Sequence, residues 1–245
     1  MPVLMTEDCP DSKESIMKGT SVQTFVASAM LGLMILGAGS ASAAWNVQHV
    51  GSTNIDTGDN CSVAVDALGR PHVAFAAKWK TDLYYACKTG ATWTVQVLKT
   101  NCYPLNRAAI NVDTNGRPHI CFAGSIGGTA AVYHAYSQSG TSWTYEKIQN
   151  ANSGGGLDSA FDSSGKLHVS YFNGSDRTLR YAVKSGASWS VSIFTNMGSA
   201  SSIAVDSLGN PHISFIPQWP AGMCYASKTS ATWSVVTIDT NLAMN

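Results

Sequence analysis

One seven-residue motif, which occurs four times, constrains the fold of this chain more than any other feature. Each copy begins with aspartate, has glycine at its fourth position and ends with histidine. The copies are Asp66–His72, Asp113–His119, Asp162–His168 and Asp206–His212. Successive histidines are separated by 47, 49 and 44 residues. A nearly fixed period of this length indicates that one supersecondary unit is repeated along the chain.

Each repeat contains four short segments of alternating apolar and polar residues. In the first repeat these are Ser62–Val65, His72–Phe75, Leu83–Ala86 and Trp93–Leu98. After the N-terminal region no capping residue leads into a stretch with helical period. The pattern predicts an all-β fold, a β-propeller with four readable four-stranded blades.

Two kinds of turn punctuate each repeat. In the motif, aspartate can accept backbone N–H bonds, and glycine can take the left-handed conformation that a tight hairpin requires. A second turn precedes a tryptophan that opens the last strand of each unit. These tryptophans are Trp93, Trp143, Trp189 and Trp233. We expect their rings to pack between neighbouring blades, each burying about 150–250 Å².

An extra N-terminal outer strand is predicted at Trp45–Val50, which resembles the last strand of each unit. The chain therefore has five tryptophan strands but only four motif units. Two arrangements stay open: a ring of four blades with a spare strand, or part of a larger propeller whose exposed edges pair with a second copy. Because unpaired edges invite association, some homo-oligomerisation is expected.

Residues 1–43 are predicted to be an export signal. Lys18 supplies positive charge, residues 25–36 are mostly apolar, and Ala41–Ala43 provides small residues for cleavage. Translation from Met17 is an alternative start, because the acidic stretch before it is atypical of a signal. A membrane anchor is the other reading, although the apolar core is short for a span. The propeller domain, residues 44–245, is then secreted or periplasmic, without a membrane span after cleavage.

The predicted mature domain is almost neutral, with 13 Lys and Arg against 11 Asp and Glu in residues 44–245. It has no basic stripe, so nucleic acid is not an expected partner. Its five cysteines include Cys61 and Cys102, which lie at similar places in neighbouring repeats. A disulfide between these two and a set of unrelated thiols are equally compatible with the sequence.

The four motif histidines are expected to be structural. There is one per blade, on a strand away from the axis, so convergence on a metal ion is difficult. Each should bond to a turn or strand of its own blade. His49 and His134 show no partner pattern. No metal site and no cofactor are predicted.

The turn before each tryptophan, Gly-x-Thr/Ser-Trp in the first three repeats, resembles the end of the Asp-box turn in sialidase-like propellers. The resemblance is partial, because Lys88 and Lys184 stand where that family has a different residue two before glycine. The repeats also resemble exported bacterial propellers with Asp-Gly-x-Pro-His motifs, over nearly the whole predicted mature chain. Both resemblances imply a fold rather than a reaction.

Binding residues are expected in two loop families that break the repeat, those between second and third strands and those that enter each blade. Trp79 and Trp219 occupy matching positions in the first and fourth blades, where exposed indoles would stack on a sugar ring. The alternative is that each caps the apolar layer of its own blade. The candidate ligand-binding residues are Lys78, Trp79, Lys80, Asp82, Tyr103, Arg107, Asp176, Arg177 and Trp219.

A glycoside hydrolase is the competing function. Such enzymes usually need two suitably separated carboxyl groups, yet the predicted mature domain has one glutamate, Glu146, within a strand, and few loop acids. No catalytic residues are therefore assigned. The sequence favours a secreted, lectin-like module that binds a glycan or, second, a protein surface. A sialidase-like hydrolase and a structural self-assembling fragment are the alternatives.

Overall fold

A computed structural model describes residues 47–50, 57–77, 81–104, 108–151, 156–196, 198–217 and 222–240. The predicted export signal, the Met17 start and Trp45 lie outside these residues. The description below concerns the unit Val47–Asn245. None of the described segments forms a helix long and apolar enough to cross a membrane.

The described chain forms sixteen antiparallel strands in four sheets, and consecutive strands pair within each sheet. The first sheet contains β1 (Thr57–Val65), β2 (Pro71–Ala77), β3 (Leu83–Thr89) and β4 (Thr92–Lys99). The second contains β5 (Ala109–Val112), β6 (Pro118–Ile126), β7 (Thr129–Ser137) and β8 (Trp143–Asn150). The third contains β9 (Asp158–Phe161), β10 (Leu167–Asn173), β11 (Thr178–Ser185) and β12 (Ser188–Asn196). The fourth contains β13 (Gly198–Val205), β14 (Pro211–Pro217), β15 (Met223–Ser227) and β16 (Ser234–Asp239).

The four sheets are the blades of a β-propeller, which confirms the predicted fold class. The first strands of successive blades contact each other: β1 with β5, β5 with β9, and β9 with β13. Among the described residues, no contact of that extent joins β1 to β13. The blades therefore pack in sequence, and the first and fourth each have a face without a neighbouring blade.

The repeated motif forms the turn between the first two strands of every blade. In the first blade, Oδ1 of Asp66 accepts hydrogen bonds from the backbone N–H of Leu68 (2.9 Å) and of Arg70 (2.8 Å). Gly69 has a φ of +75°, the left-handed conformation that favours glycine. The aspartate thus satisfies backbone donors that a bare turn would leave unpaired, and the same bonds recur at Asp113, Asp162 and Asp206.

The predicted packing of tryptophan between blades is confirmed for three of the four rings. Trp143 of the second blade contacts Tyr85 of the first, with ring centroids 5.0 Å apart. Trp189 contacts His134, and Trp233 contacts Tyr181, each one blade back. These edge-to-face contacts close hydrophobic cores whose members come from two adjacent blades. Burial between blades, rather than within one sheet, therefore supplies most of the apolar stabilisation.

The predicted extra strand differs from the structure in its described part. Residues 47–50 adopt no strand. Val50 nevertheless packs against the apolar cluster of the first blade, and Gln48 Oε1 accepts a hydrogen bond of 3.3 Å from Trp93 Nε1. The segment lacks the third-strand partner that would hold it in a sheet, so it only covers the outer part of the open face of the first blade.

The sequence is compatible with either a disulfide or free thiols, and the structure contains free thiols. The described cysteines are all free, with Cys61 exposed and Cys102 fully buried. Cys102 Sγ lies 3.6 Å from the carbonyl oxygen of Lys99. Burial raises the pKa of the Cys102 thiol to about 11, so it behaves as a small core side chain.

Candidate functional site

Two of the predicted loop residues, Asp82 and Tyr103, lie in one loop cluster beside the first and second blades. Oδ1 of Asp82 accepts hydrogen bonds from Thr81 Oγ1 (3.0 Å) and from the backbone N–H of Asn101 (2.9 Å). The N–H of Tyr103 donates to the carbonyl of Thr81 at 2.9 Å. Tyr103 is 56% exposed, and its φ of +45° is unusual for a bulky residue.

Asp176 and Arg177 lie in the turn between β10 and β11. Oδ1 of Asp176 accepts from Thr178 Oγ1 (2.7 Å), and Oδ2 pairs with Arg180. Arg177 is exposed and also has a positive φ, +58°. No contact among the described residues joins this turn to Asp82 or Tyr103. The predicted set therefore falls into two separate places in the described part of the chain.

The remaining predicted ligand residues lie outside the described residues. They are Lys78, Trp79, Lys80, Arg107 and Trp219. Sugar stacking on Trp79 and Trp219 therefore stays a prediction.

The motif histidines make the structural contacts that the sequence predicted. His72 Nδ1 lies 2.6 Å from the hydroxyl of Tyr85, and its Nε2 lies 3.4 Å from Asp66 Oδ2. The third and fourth blades repeat this arrangement with His168 and His212. Burial lowers the pKa of His72, although the carboxylate of Asp66 opposes this. Each such histidine links the turn to the third strand of its own blade.

The second blade breaks this pattern at His134, a histidine that shows no partner pattern in the sequence. His134 pairs in register with Cys121, as Tyr85 pairs with Ala74 in the first blade. It therefore occupies the position of the tyrosine. Its Nε2 lies 2.9 Å from Nδ1 of His119. Aligning the third strands of the four repeats would have revealed this substitution.

Glu146 anchors the histidine pair to the third blade. Its Oε2 lies 3.2 Å from His134 Nδ1, 2.5 Å from Lys184 Nζ and 3.3 Å from Trp189 Nε1. Burial lowers the pKa of His134 to about 4, which the hydrogen bond to Glu146 only partly opposes. Burial would raise the pKa of Glu146, yet its bonds to Lys184 and His134 hold it below the usual value. The glutamate is thus a structural anion between two blades.

A polar groove of about 440 Å³ lies between the first and second blades, at the end of the strands that carries the motif turns. It lies at the opposite end of the strands from the loops predicted to bind ligand. Gln96 spans it and donates to the carbonyl of Gly140. The hydrogen-bonding side chains that line it include Arg70, Gln96, Asn115, Arg117, Gln138 and Thr141.

A second cavity of about 210 Å³ lies beside the groove, toward the third blade. Arg117 and Gln138 line both spaces. The second cavity also meets His119, His134 and Lys184. The two spaces therefore share a wall, so one extended ligand can occupy both.

The described part of the chain holds no group of three or more His, Cys, Asp or Glu that could bind a metal ion. Its carboxylates are largely used in internal contacts. Asp158 Oδ2, for example, accepts from Ser202 Oγ (2.6 Å) and from the N–H of Ile203 (3.0 Å). Binding through neutral and cationic donors is the chemistry that this arrangement offers.

No protein-family profile matches the chain, and no curated protein matches it. Solved structures do. A protein of unknown function from Dyadobacter fermentans has a TM-score of 0.57 at 12% identity, over 77% of this chain and 70% of that one. The α-L-arabinofuranosidase of Fusarium graminearum has a TM-score of 0.57 at 9% identity, over 77% and 69%. A Hadza microbial sialidase has a TM-score of 0.54 at 12% identity, over 72% and 45%.

Similarity at this level of identity shows the fold alone. The chain spans less than half the length of the sialidase. The polar groove and the histidine pair therefore have to be interpreted from their own chemistry.

Proposed function

We propose that this chain is an exported glycan-binding module and that the groove between the first and second blades is its ligand site. The observation that carries the proposal is the polar lining of a space of about 440 Å³. Pockets for small ligands typically measure about 300–1,000 Å³. Asn115 and Gln138 each offer donors and an acceptor, the combination that suits a sugar hydroxyl.

Sugar stacking on the predicted loop residues Trp79 and Trp219 is a second proposed way of binding for the same function. Exposed Tyr103, beside Asp82, offers an aromatic ring and a carboxylate at that end of the blades. Trp79→Ala and Trp219→Ala test the predicted sugar stacking, whereas Gln138→Ala tests the groove, so separate variants test the two candidate sites.

Hydrolysis of a glycoside is the less favoured alternative. It would require a pair of carboxyl groups available to substrate. In the described residues, Asp82, Asp158 and Asp176 accept hydrogen bonds from their own chain, and Glu146 is held by Lys184. Release of a chromogenic leaving group, abolished by Asp82→Asn or Asp176→Asn, would support a hydrolase instead.

The test is a glycan array followed by titration calorimetry of the best ligand. Gln138→Ala should weaken binding about tenfold, because about 1.4 kcal/mol is the scale of one lost hydrogen bond. Thr229→Ala is the matched control, since Thr229 follows the third strand of the last blade, outside the groove. Binding that Gln138→Ala and both tryptophan variants leave unchanged would contradict the proposed sites.

Export is part of the proposal. N-terminal sequencing of the protein recovered from the periplasm and from the medium should show cleavage after about Ala43. Retention of residues 1–43 on a cytoplasmic product would contradict this.

Self-association is a second candidate function, favoured by one specific observation. Val63 on β1 is 64% exposed, whereas its repeat equivalents Ile110, Ser159 and Ile203 are 4–7% exposed. Met223 on β15 is 39% exposed, whereas its equivalents in the other blades are fully buried. Those equivalents are Leu83, Val132 and Leu179. Val63 and Met223 therefore mark the two kinds of blade face that pack against each other wherever two blades of this chain meet.

We propose that these faces pack head to tail between two copies of the chain. The open face of the first blade corresponds to the faces that, inside the chain, cover the equivalents of the open face of the fourth blade. Two copies would supply eight blades, within the usual range of propellers. Light scattering should give a dimer, and Val63→Asp or Met223→Glu should each give monomers. Mixing the two variants should restore a dimer, since one undamaged pair of faces remains.

Leu208→Asp is the control for these variants, because Leu208 is exposed on a motif turn rather than on a blade face. A wild-type monomer would contradict self-association. A dimer that neither face variant disturbs would place the contact elsewhere.

A further inference from the structure

The first and second blades carry the same arginine at the same turn position, yet the two side chains differ in their contacts. Arg70 Nε lies 2.6 Å from Asp66 Oδ2, so the guanidinium is held by the aspartate of its own turn. In the fourth blade, Asn210 Nδ2 makes the corresponding bond to Asp206 Oδ2 at 2.9 Å. The ordinary role of this position is therefore to close the turn.

Arg117 does not make this contact. Oδ1 of Asp113 accepts the usual bonds from the N–H of Asn115 and of Arg117, and its Oδ2 lies 3.6 Å from His119 Nε2, much as in the first blade. Within the described residues, no carboxylate pairs with the Arg117 guanidinium and no side-chain hydrogen bond engages it. Its five N–H donors are thus available to another molecule.

Arg117 lies where its free donors face a ligand-sized space. The residue is half-buried on the wall shared by the groove and the second cavity. The other cations there are already neutralised, Arg70 by Asp66 and Lys184 by Glu146. A planar guanidinium in a partly desolvated wall recognises a carboxylate or sulfate through two parallel hydrogen bonds.

We propose that the ligand of the groove is an anionic glycan, one that carries a carboxylate or sulfate group, and that Arg117 binds this group. The inference rests on the proposed glycan-binding function and narrows it to a ligand class. The amide side chains of the groove serve the hydroxyls, and the arginine selects for the charge.

The experiment compares ligands that differ only in charge. Trigalacturonic acid is titrated against its methyl ester, and lactose 6-sulfate against lactose. Wild-type protein should bind the charged member of at least one pair about tenfold more tightly or better. That preference should weaken as salt rises from 50 to 500 mM, because part of it is a screened ionic attraction.

Arg117→Gln should abolish the preference and leave binding of the neutral member in place. Arg117→Lys keeps the charge but loses the bidentate geometry, so it should retain only part of the preference. Lys166→Gln is the matched control, because Lys166 has the same turn position in the third blade and lines neither cavity. Thermal unfolding of each variant verifies that it is folded.

The outcomes separate this inference from the broader proposal. Equal affinity for charged and neutral members, or a preference that survives in folded Arg117→Gln, overturns the inference and leaves glycan binding standing. Failure to bind any glycan on the array or in these titrations overturns both.

Discussion

His119 and His134 are in direct contact within the second blade, with Nδ1 of the first 2.9 Å from Nε2 of the second. The carboxylate of Glu146 can only accept, so the hydrogen-bond network assigns a proton to Nδ1 of His134. Nε2 of His134 then accepts from Nδ1–H of His119. Burial lowers the pKa of each ring, which favours the neutral form of both.

This pair predicts that stability falls as the medium becomes mildly acidic. The folded-state pKa of His134, about 4, lies below the ordinary value of 6.5. Between these values the unfolded chain binds more protons, so stability decreases as pH falls from about 6.5 toward 4. The melting temperature should drop by several degrees over this range.

Replacing His134 with the tyrosine of the other blades should reduce that dependence. His134→Tyr removes one buried titrating group and should leave the shallower slope due to the remaining histidines. His49→Gln, at an exposed position, is the control. An unchanged slope in folded His134→Tyr would show that the pair does not govern the response.

The motif aspartates predict a further loss of stability in stronger acid. Burial would raise the pKa of Asp162, but bonds from the N–H of Lys166, from Ser164 and from His168 lower it to about 2. Because its folded-state pKa is lowered, ionised Asp162 stabilises the fold above the unfolded-state pKa of about 4. This stabilisation is lost as the pH falls toward 2.

Substitutions at Asp162 should separate its charge from its hydrogen bonds. Asp162→Ala leaves turn donors unpaired and should cost about 1–3 kcal/mol of unfolding free energy at neutral pH. Asp162→Asn keeps an acceptor for Ser164 and Lys166, so it should cost less. Urea denaturation measures both, and equal losses would contradict the assigned role of Oδ1.

Two glycines with positive φ should respond differently to alanine. A Cβ on Gly156 would lie 2.4 Å from backbone atoms of Ala200 and Ser201 in the next blade. Gly156→Ala should therefore destabilise by several kcal/mol or prevent folding. A Cβ on Gly69 meets nothing within 4 Å, so Gly69→Ala should cost only about 1 kcal/mol of conformational strain. Similar losses would contradict the close approach of the blades.

Tryptophans at internal blade boundaries and at the open face of the first blade should also differ in how much they contribute to the free energy of unfolding. Trp143 packs edge-on against Tyr85 within a core shared by two blades, whereas Trp93, among the described residues, packs only with the apolar cluster of its own blade and the segment 47–50. Trp143→Ala should cost about 3 kcal/mol or more of unfolding free energy in urea, and Trp93→Ala clearly less. The reverse order would contradict the assigned direction of blade packing.

The sequence predicted the blades well because their signals are local. The aspartate and glycine of each turn determine its conformation, and alternation around residues such as Val73 and Tyr85 determines the strands that follow. Packing between neighbouring blades also followed from Trp143, since a large ring at the start of an outer strand needs a neighbour to cover it, but the sequence did not predict which neighbour.

The groove could not be predicted from the sequence, because contacts between repeats form it. Arg70 and Arg117 are identical in the motif, and the aspartate Oδ2 lies close to the motif histidine in both blades, yet only the Arg70 guanidinium pairs with it. The histidine at position 134, by contrast, stands in the sequence where the other repeats have tyrosine, so an alignment of the third strands predicts it. The described part of the predicted extra strand, residues 47–50, differs for a related reason, because no described strand pairs with it.

Hydrogen–deuterium exchange with the best ligand of the glycan array tests the central claim most directly. The account predicts protection of the turns at residues 113–118 and 137–142, which form one wall of the groove. Unchanged exchange in both turns, with protection confined to residues 81–82 and 100–104 at the other end of the blades, would contradict it.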